Sequence, residues 1–271
     1  MVNNELESLE KFEQNGYLVL RGALNQECLK TLCTEITTLS STYVDPQRRT
    51  PWGYGNLRGS LFQNALVESI PIKTFTDTLF RDGSRVNHIV LNSKTRFFGP
   101  QVEWHQEMSN VATFAPGASV EYDWNKFLQV YISLTGEDED NGGLRIVPCS
   151  HELGLLKHHD IISPYLTHKR EIVPEQLVKA IEKYGLLTPS LKPGDCLLFN
   201  SLLIHGSASN YSLKDRHSLV CQLQDSKSTF TDKKVYDNEI ETRRLATLNK
   251  LKERVTQLEL INNPYQDLKN D

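Results

Sequence analysis

Apolar residues change their spacing along this chain, and each change marks a different kind of element. Residues 5–14, "ELESLEKFEQ", carry the period of a short amphipathic helix that stops at Asn15-Gly16, a C-cap pair. "YLVLRGAL" follows as a strand. Asn25 then N-caps a second helix, "QECLKTLCTEITTL", with Cys28, Leu29, Leu32, Cys33 and Ile36 on one face. From about Val86 the pattern turns to β: "VNHIVLNSKTRFF", "VEWHQEM", "FLQVYISLT", "GGLRIVPC", "DCLLFNSLLIHGSAS" and "RHSLVCQLQ" are short runs separated by Gly, Pro, Asn or Asp clusters. One helical stretch, "PEQLVKAIEKYG", interrupts them, with Pro174 in its first turn and Gly185 past its end.

Strands following helices predict a mainly β fold with flanking helices, a sandwich or jelly roll rather than a parallel βαβ sheet. We expect a single domain over 1–271, with N-terminal helices to about 85, a core over about 86–225 and a helical tail over about 238–260. In that tail Leu245, Leu248, Leu251, Val255 and Leu258 share a stripe. The stripe either docks on the core or forms a dimer contact, so monomer and homodimer both stand. Residues 41–60 are rich in Pro, Gly, Arg and aromatics without either period, and read as a long loop of the kind that carries function.

Composition narrows the partners. A formal charge of −4 with no Lys/Arg-rich block argues against nucleic acid. Five scattered cysteines without a CxxC pair suit reduced thiols rather than a disulfide frame or zinc site. No basic n-region precedes an apolar run, and no apolar run reaches bilayer length. The expectation is a cytoplasmic protein with no membrane partner, acting on a small molecule.

The chemistry starts at "VEWHQEM". Side chains alternate along a strand, so His105 and Glu107 project into one space and can chelate one metal. The best third ligand is His205, at the end of the apolar run in "FNSLLIHGSASN". Two imidazoles and a carboxylate suit a non-haem Fe(II) oxygenase, although zinc hydrolases share these ligand types. Arg216 lies eleven residues after His205, the length of a strand, a turn and a return. Its guanidinium could hold a carboxylate in a fork of two hydrogen bonds, which suits a bidentate 2-oxo acid cosubstrate.

Two polar faces remain open. Asn92, Lys94 and Arg96 share one strand face opposite Leu91; Gln129, Tyr131 and Ser133 alternate with Leu128, Val130, Ile132 and Leu134. Each polar face is either solvent-exposed or the lining of a cavity. His151, in the "PCSH" turn, reads as structural, and His158 and His159 as a solvated loop.

Taken together, "KFEQNGYLVLRGAL", "WHQE", "NGGLRIVPCSHELG" and "HGSASNYSLKDR" resemble, in order over about residues 9–222, the phytanoyl-CoA dioxygenase family of Fe(II)/2-oxoglutarate oxygenases. The resemblance implies a double-stranded β-helix, a cupin-like jelly roll, with Fe(II) on His105, Glu107 and His205. It further implies that Arg216, helped by Ser207, binds the distal carboxylate of 2-oxoglutarate, with Tyr131 and Asn92 nearby. It puts the long loop over the substrate, so Arg49 and Arg58 are candidate substrate contacts; Lys94 and Gln129 are candidates as well, if their strand faces line a cavity. The implied reaction consumes O2 and 2-oxoglutarate, releases succinate and CO2, and hydroxylates an unactivated C–H bond of a small polar or amphipathic metabolite. The same site can desaturate or close rings, and a non-catalytic jelly-roll binding protein is the rival of another class. Two positions depart from the family pattern: Glu107 stands where most members have Asp, and Cys149 replaces the glycine of a Pro-Gly-Ser-His turn.

Overall fold

The computed structural model describes residues 2–42, 53–54, 57, 60–97, 99–107, 124–161 and 170–228. Arg49, Arg58 and the stripe at 238–260 lie outside the described residues. Helices α1 (Val2–Asn15) and α2 (Gln26–Thr42) flank strand β1 (Tyr17–Leu20), as the apolar spacing predicts. The Asn25 Oδ1 accepts the Cys28 N–H at 2.8 Å and caps α2. Helices α3 (Leu61–Val67) and α4 (Ile70–Leu79) are not marked by the pattern, because two short turns and the Pro71 start of α4 leave too few periods to read.

Strands β2 (Gly53–Tyr54), β3 (Ser84–Lys94), β5 (Phe127–Ser133), β9 (Cys196–Asn200) and β11 (Arg216–Asp225) join β1 in one antiparallel sheet, in the order β1-β9-β5-β11-β3-β2. A smaller sheet has the order β4 (Val102–His105), β10 (His205–Ser207), β6 (Leu144–Ile146). A hairpin of β7 (His158–Asp160) and β8 (Arg170–Ile172) stands beside it. The two sheets face each other as a jelly roll.

Alternation along the strands divides the core. One face of the large sheet, including Leu91, Leu128, Val130, Ile132, Leu198 and Leu219, packs against Leu29, Leu32, Ile36, Phe62 and Phe75 from the helices. The opposite face sends Tyr131, Leu197 and Phe199 against Leu144 and Ile146 of the small sheet. Helix α5 (Pro174–Tyr184) covers the outer side of the small sheet, where Ala180 meets Val147, Ile172 and Ile204. Each fully buried Leu or Ile contributes roughly 1.5–3 kcal/mol. A one-residue slip would exchange the two faces, so these contacts fix the register.

That register decides the two polar faces. Gln129, Tyr131, Ser133 and Lys94 are all buried and lie on the side facing the small sheet. They line the interior rather than a solvent face. Arg96 is different: it lies past the end of β3 and is exposed.

The turn with the substituted glycine keeps the shape glycine would give it. Cys149 sits at φ 59°, ψ 0°, in the left-handed region, and its N–H donates to the Asn15 carbonyl at 2.8 Å. His151 donates from Nε2 to the Glu13 carbonyl at 2.9 Å, so the structural reading of this histidine fits its placement. The approach is close: at Gly16, φ 76°, a Cβ would lie 2.4 Å from His151 Nδ1. A non-glycine residue in the left-handed region costs about 1–2 kcal/mol, while glycine loses about 0.5–1 kcal/mol through unfolded-chain entropy. Cys149→Gly is therefore expected to stabilise the protein by about 0.5–1 kcal/mol, read from the urea midpoint at unchanged slope; a lower midpoint would show that the cysteine side chain contributes more than the strain costs.

Candidate active site

His105 and His205 are direct cross-strand partners in the β4–β10 pair, which places their rings 4.2 Å apart, centroid to centroid. Each ring is oriented in the same way. The Nδ1–H of His105 donates to the Glu103 carbonyl at 2.7 Å, and that of His205 to the Leu203 carbonyl at 2.9 Å. Both Nε2 atoms are thereby left with the lone pair, the tautomer a metal needs.

Glu107 lies just past the end of β4 and still turns onto the same space. Its Oε1 is 3.2 Å from His205 Nε2 and 3.7 Å from His105 Nε2. One donor atom from each of the three side chains lies within 4.8 Å of the others. Burial opposes ionisation of Glu107, but its contacts with His105 and His205 outweigh it and hold the carboxyl well below its usual range. Burial, reinforced by His105 and opposed by Glu107, pushes His205 below the ordinary imidazole value, so it is neutral at pH 7. Two imidazoles and one carboxylate on one side of a shared space are the donor set of a facial triad for iron.

Gln106, between the two, holds the segment in place. It is fully buried, donates from Nε2 to the Gly154 and Leu202 carbonyls at 2.8 and 2.7 Å, and accepts the Leu156 N–H at 2.8 Å. Its own N–H donates to His158 Nε2 at 3.3 Å. His158 is thus buried under the site and is not part of a solvated loop; burial lowers its pKa to about 4. His159 instead sits outward, 3.0 Å from Glu171.

A second cluster, which has the charge of an anion-binding end, lies on the inner face of the large sheet. Arg216 and Lys94 are cross-strand partners, and both are almost wholly buried. Lys94 Nζ donates to Ser207 Oγ at 2.7 Å and to the Ala208 carbonyl, which joins this end to the strand carrying His205. Arg216 Nη1 donates to the Tyr131 hydroxyl at 2.7 Å and to the Gly142 carbonyl at 3.0 Å. Burial, with Glu137 adding to it and Arg216 opposing, keeps the Tyr131 phenol well above its usual pKa and so protonated. Asn92 is half-buried opposite Ser218 on the same face. Gln129 is buried too, but its Nε2 donates to Ser201 Oγ at 3.0 Å.

The structure thus brings His105, Glu107 and His205 into one cluster, and Arg216, Tyr131, Ser207 and Lys94 into another. Two participants have no signal in the sequence. Glu137 lies within the acidic run "GEDEDN", which reads as a solvated turn, yet it is buried against Arg216. Gln106 falls on the strand side opposite the ligands, where only the fold shows what it ties together.

The family model for phytanoyl-CoA dioxygenase matches residues 12–218. The chain belongs to that family. It is accordingly an Fe(II)/2-oxoglutarate-dependent oxygenase that uses O2. It is similar to the ectoine dioxygenase of Sphingopyxis alaskensis, 24% identical over 224 residues that span 73% of this chain and 69% of the relative. Solved structures with the same fold include EctD from S. alaskensis with 2-oxoglutarate and 5-hydroxyectoine (TM-score 0.64, 20% identity, 80% of this chain and 75% of that one). The epimerase SnoN in complex with Fe3+, α-ketoglutarate and nogalamycin RO also shares it (TM-score 0.63, 15% identity, 83% and 85%). No helix among the described residues is long and apolar enough to cross a membrane.

Gln106→Ala removes the side-chain partner of three backbone groups, one in a buried and two in part-buried bonds. A stability loss of about 2–4 kcal/mol is expected, with Fe(II) affinity lowered about tenfold because the segment carrying His105 and Glu107 loosens. Urea denaturation and anaerobic metal titration read the two effects separately; a stable variant with unchanged metal affinity would remove Gln106 from the supporting framework.

Proposed function

We propose that this chain hydroxylates an unactivated C–H bond of a small polar or amphipathic metabolite, with His105, Glu107 and His205 as the Fe(II) ligands. The observation that carries this reading is the paired orientation of the two imidazoles, each tied at Nδ1 to the carbonyl two residues earlier and each aimed at Glu107. When bound, iron and 2-oxoglutarate supply the oxidising chemistry: one atom of O2 enters the substrate and the other the carboxylate of succinate, with loss of CO2.

The protein's part is geometric and electrostatic. Arg216, with Ser207 and Lys94 beside it, receives the distal carboxylate of 2-oxoglutarate, and Tyr131 steadies the guanidinium by accepting a bond from Nη1. Phe199, 4.7 Å from the His205 ring, walls the site with apolar surface and keeps the ligand dry. Glu107 retains the charge of the Asp that most of the family carries, on an arm longer by one methylene. A carboxylate at this position argues against halogenation, which needs a coordination position open to chloride. The relatives' name, ectoine dioxygenase, and the inward polar face of buried Lys94 and Gln129 and half-buried Asn92 both favour a polar metabolite.

The test is a panel of polar metabolites, ectoine included, screened for substrate-stimulated succinate release and for a product that gains one oxygen atom. A product that only loses hydrogen would replace hydroxylation by desaturation or ring closure. Neither charge-transfer absorption nor succinate on anaerobic loading and aeration would favour a non-catalytic binding protein. His105→Ala and His205→Ala are each expected to lower turnover more than about a hundredfold while the protein remains folded; near-normal succinate release from either would refute the ligand assignment. Arg216→Lys, which keeps a cation beside Glu137, is expected to raise the apparent KM for 2-oxoglutarate about tenfold or more with Fe(II) affinity unchanged.

A further inference from the structure

The anion-binding end already contains a carboxylate. Glu137, just past β5, is 3% exposed, and its Oε2 lies 3.2 Å from Arg216 Nη1. The same oxygen accepts the Tyr131 hydroxyl at 2.7 Å and the Leu144 N–H at 3.3 Å. Arg216 Nη1 therefore serves three acceptors: Glu137, Tyr131 and the Gly142 carbonyl. Arg216 Nε and Glu137 Oε1, by contrast, are buried without a hydrogen-bond partner among the described residues. The guanidinium is held through Nη1, and Nε is left for an acceptor that none of the described residues supplies.

Charge leads to the same place. Lys94 and Arg216 are buried cross-strand neighbours, and Glu137 neutralises one of them. One positive charge remains in excess, which a single further carboxylate would balance. Without Glu137 the excess would be two. In a pocket with little water that difference acts strongly on any anion.

We infer that Glu137 is an internal counter-anion that sets how tightly this chain holds dicarboxylates: it positions Arg216 through Nη1, and its charge weakens the anchor so that succinate can leave. The inference rests on the proposed role of Arg216. Decarboxylation alters only the keto-acid end of 2-oxoglutarate; the distal carboxylate passes unchanged into succinate. An anchor on that group binds cosubstrate and coproduct alike, so added strength there retards release without helping the chemical step. Glu137 acts through Arg216, which makes it a positioning residue.

The experiment measures binding rather than turnover. 2-Oxoglutarate, succinate and 2-oxopentanoate, which lacks the distal carboxylate, are titrated calorimetrically into the Mn(II)-loaded protein without O2. Glu137→Gln keeps the shape and an acceptor oxygen but removes the charge. It is expected to bind both dicarboxylates about tenfold more tightly, to leave 2-oxopentanoate within about twofold of wild type, and to melt lower when ligand-free with a larger rise on adding 2-oxoglutarate. Glu137→Asp keeps the charge and should bind all three within about threefold of wild type. Unchanged dicarboxylate affinity in Glu137→Gln, equal weakening of all three ligands, or equal tightening in the Asp variant would each overturn the inference. A wild type that does not prefer 2-oxoglutarate to 2-oxopentanoate would instead refute the anchor role of Arg216, and this inference with it.

Discussion

The contact on which the site depends is the antiparallel pairing of β4 with β10, which sets His105 directly opposite His205. These strands are only four and three residues long, too few to hold a register by their own ladder. The register comes from outside. β6 pairs on the other side of β10, α5 covers the outer surface through Ala180 and Ile204, and Gln106 ties the exit of β4 to the Gly154 and Leu202 carbonyls. Glu107 needs this support most, because it lies past the last paired residue and reaches the imidazoles only while Gln106 anchors the turn.

A second constraint follows from putting charge inside the roll. Lys94, Arg216 and Glu137 each carry a large desolvation cost, which is offset only where partners are complete. Ser207, Ala208, Tyr131, Gly142 and Leu144 provide most of them, and they come from both sheets and the turn between β5 and β6. The helices make this arrangement tolerable. By packing α1 to α4 on one face of the large sheet, the fold places its main apolar core there and leaves the opposite face to be partly polar. The one group in the ion cluster with an unfilled donor and the one with an unfilled acceptor, Arg216 and Glu137, belong to the same pair.

Much of this was legible in the sequence because the decisive features have short periods. Alternation in "LQVYISL" separated Leu128, Val130 and Ile132 from Gln129, Tyr131 and Ser133, and only the side on which water lies was left open. The spacing of His205 to Arg216 reflects a strand, a turn and a return, whereas Glu107 keeps the side of His105 although it lies past the end of β4. Interactions formed between distant segments left no such trace. His158 reads as a loop residue because nothing near it in the chain announces the Gln106 peptide that buries it. Glu137 is hidden for the opposite reason: its acidic neighbours Asp138, Glu139 and Asp140 look like a solvated turn, and a side chain that turns inward from such a run has the same letters as one that turns out. Cys149 shows a third limit, since residue identity alone leaves the geometry of the turn open, whereas the contact with α1 accompanies a positive φ there.

Solved structures with this fold include EctD, an epimerase and a carbocyclase, at 13–20% identity to this chain, and the likeness is one of strand framework. In this chain that framework carries two facing imidazoles, a carboxylate at the strand exit and a cation one hairpin later. Between β5 and β6, Glu137 forms an isolated antiparallel bridge with Leu191, so its backbone is held apart from the ladder that carries Tyr131 while its side chain meets Arg216. The facing of His105 and His205 is thus tied to the register of the small sheet, whereas the charge beside Arg216 comes from a residue outside the strands of both sheets.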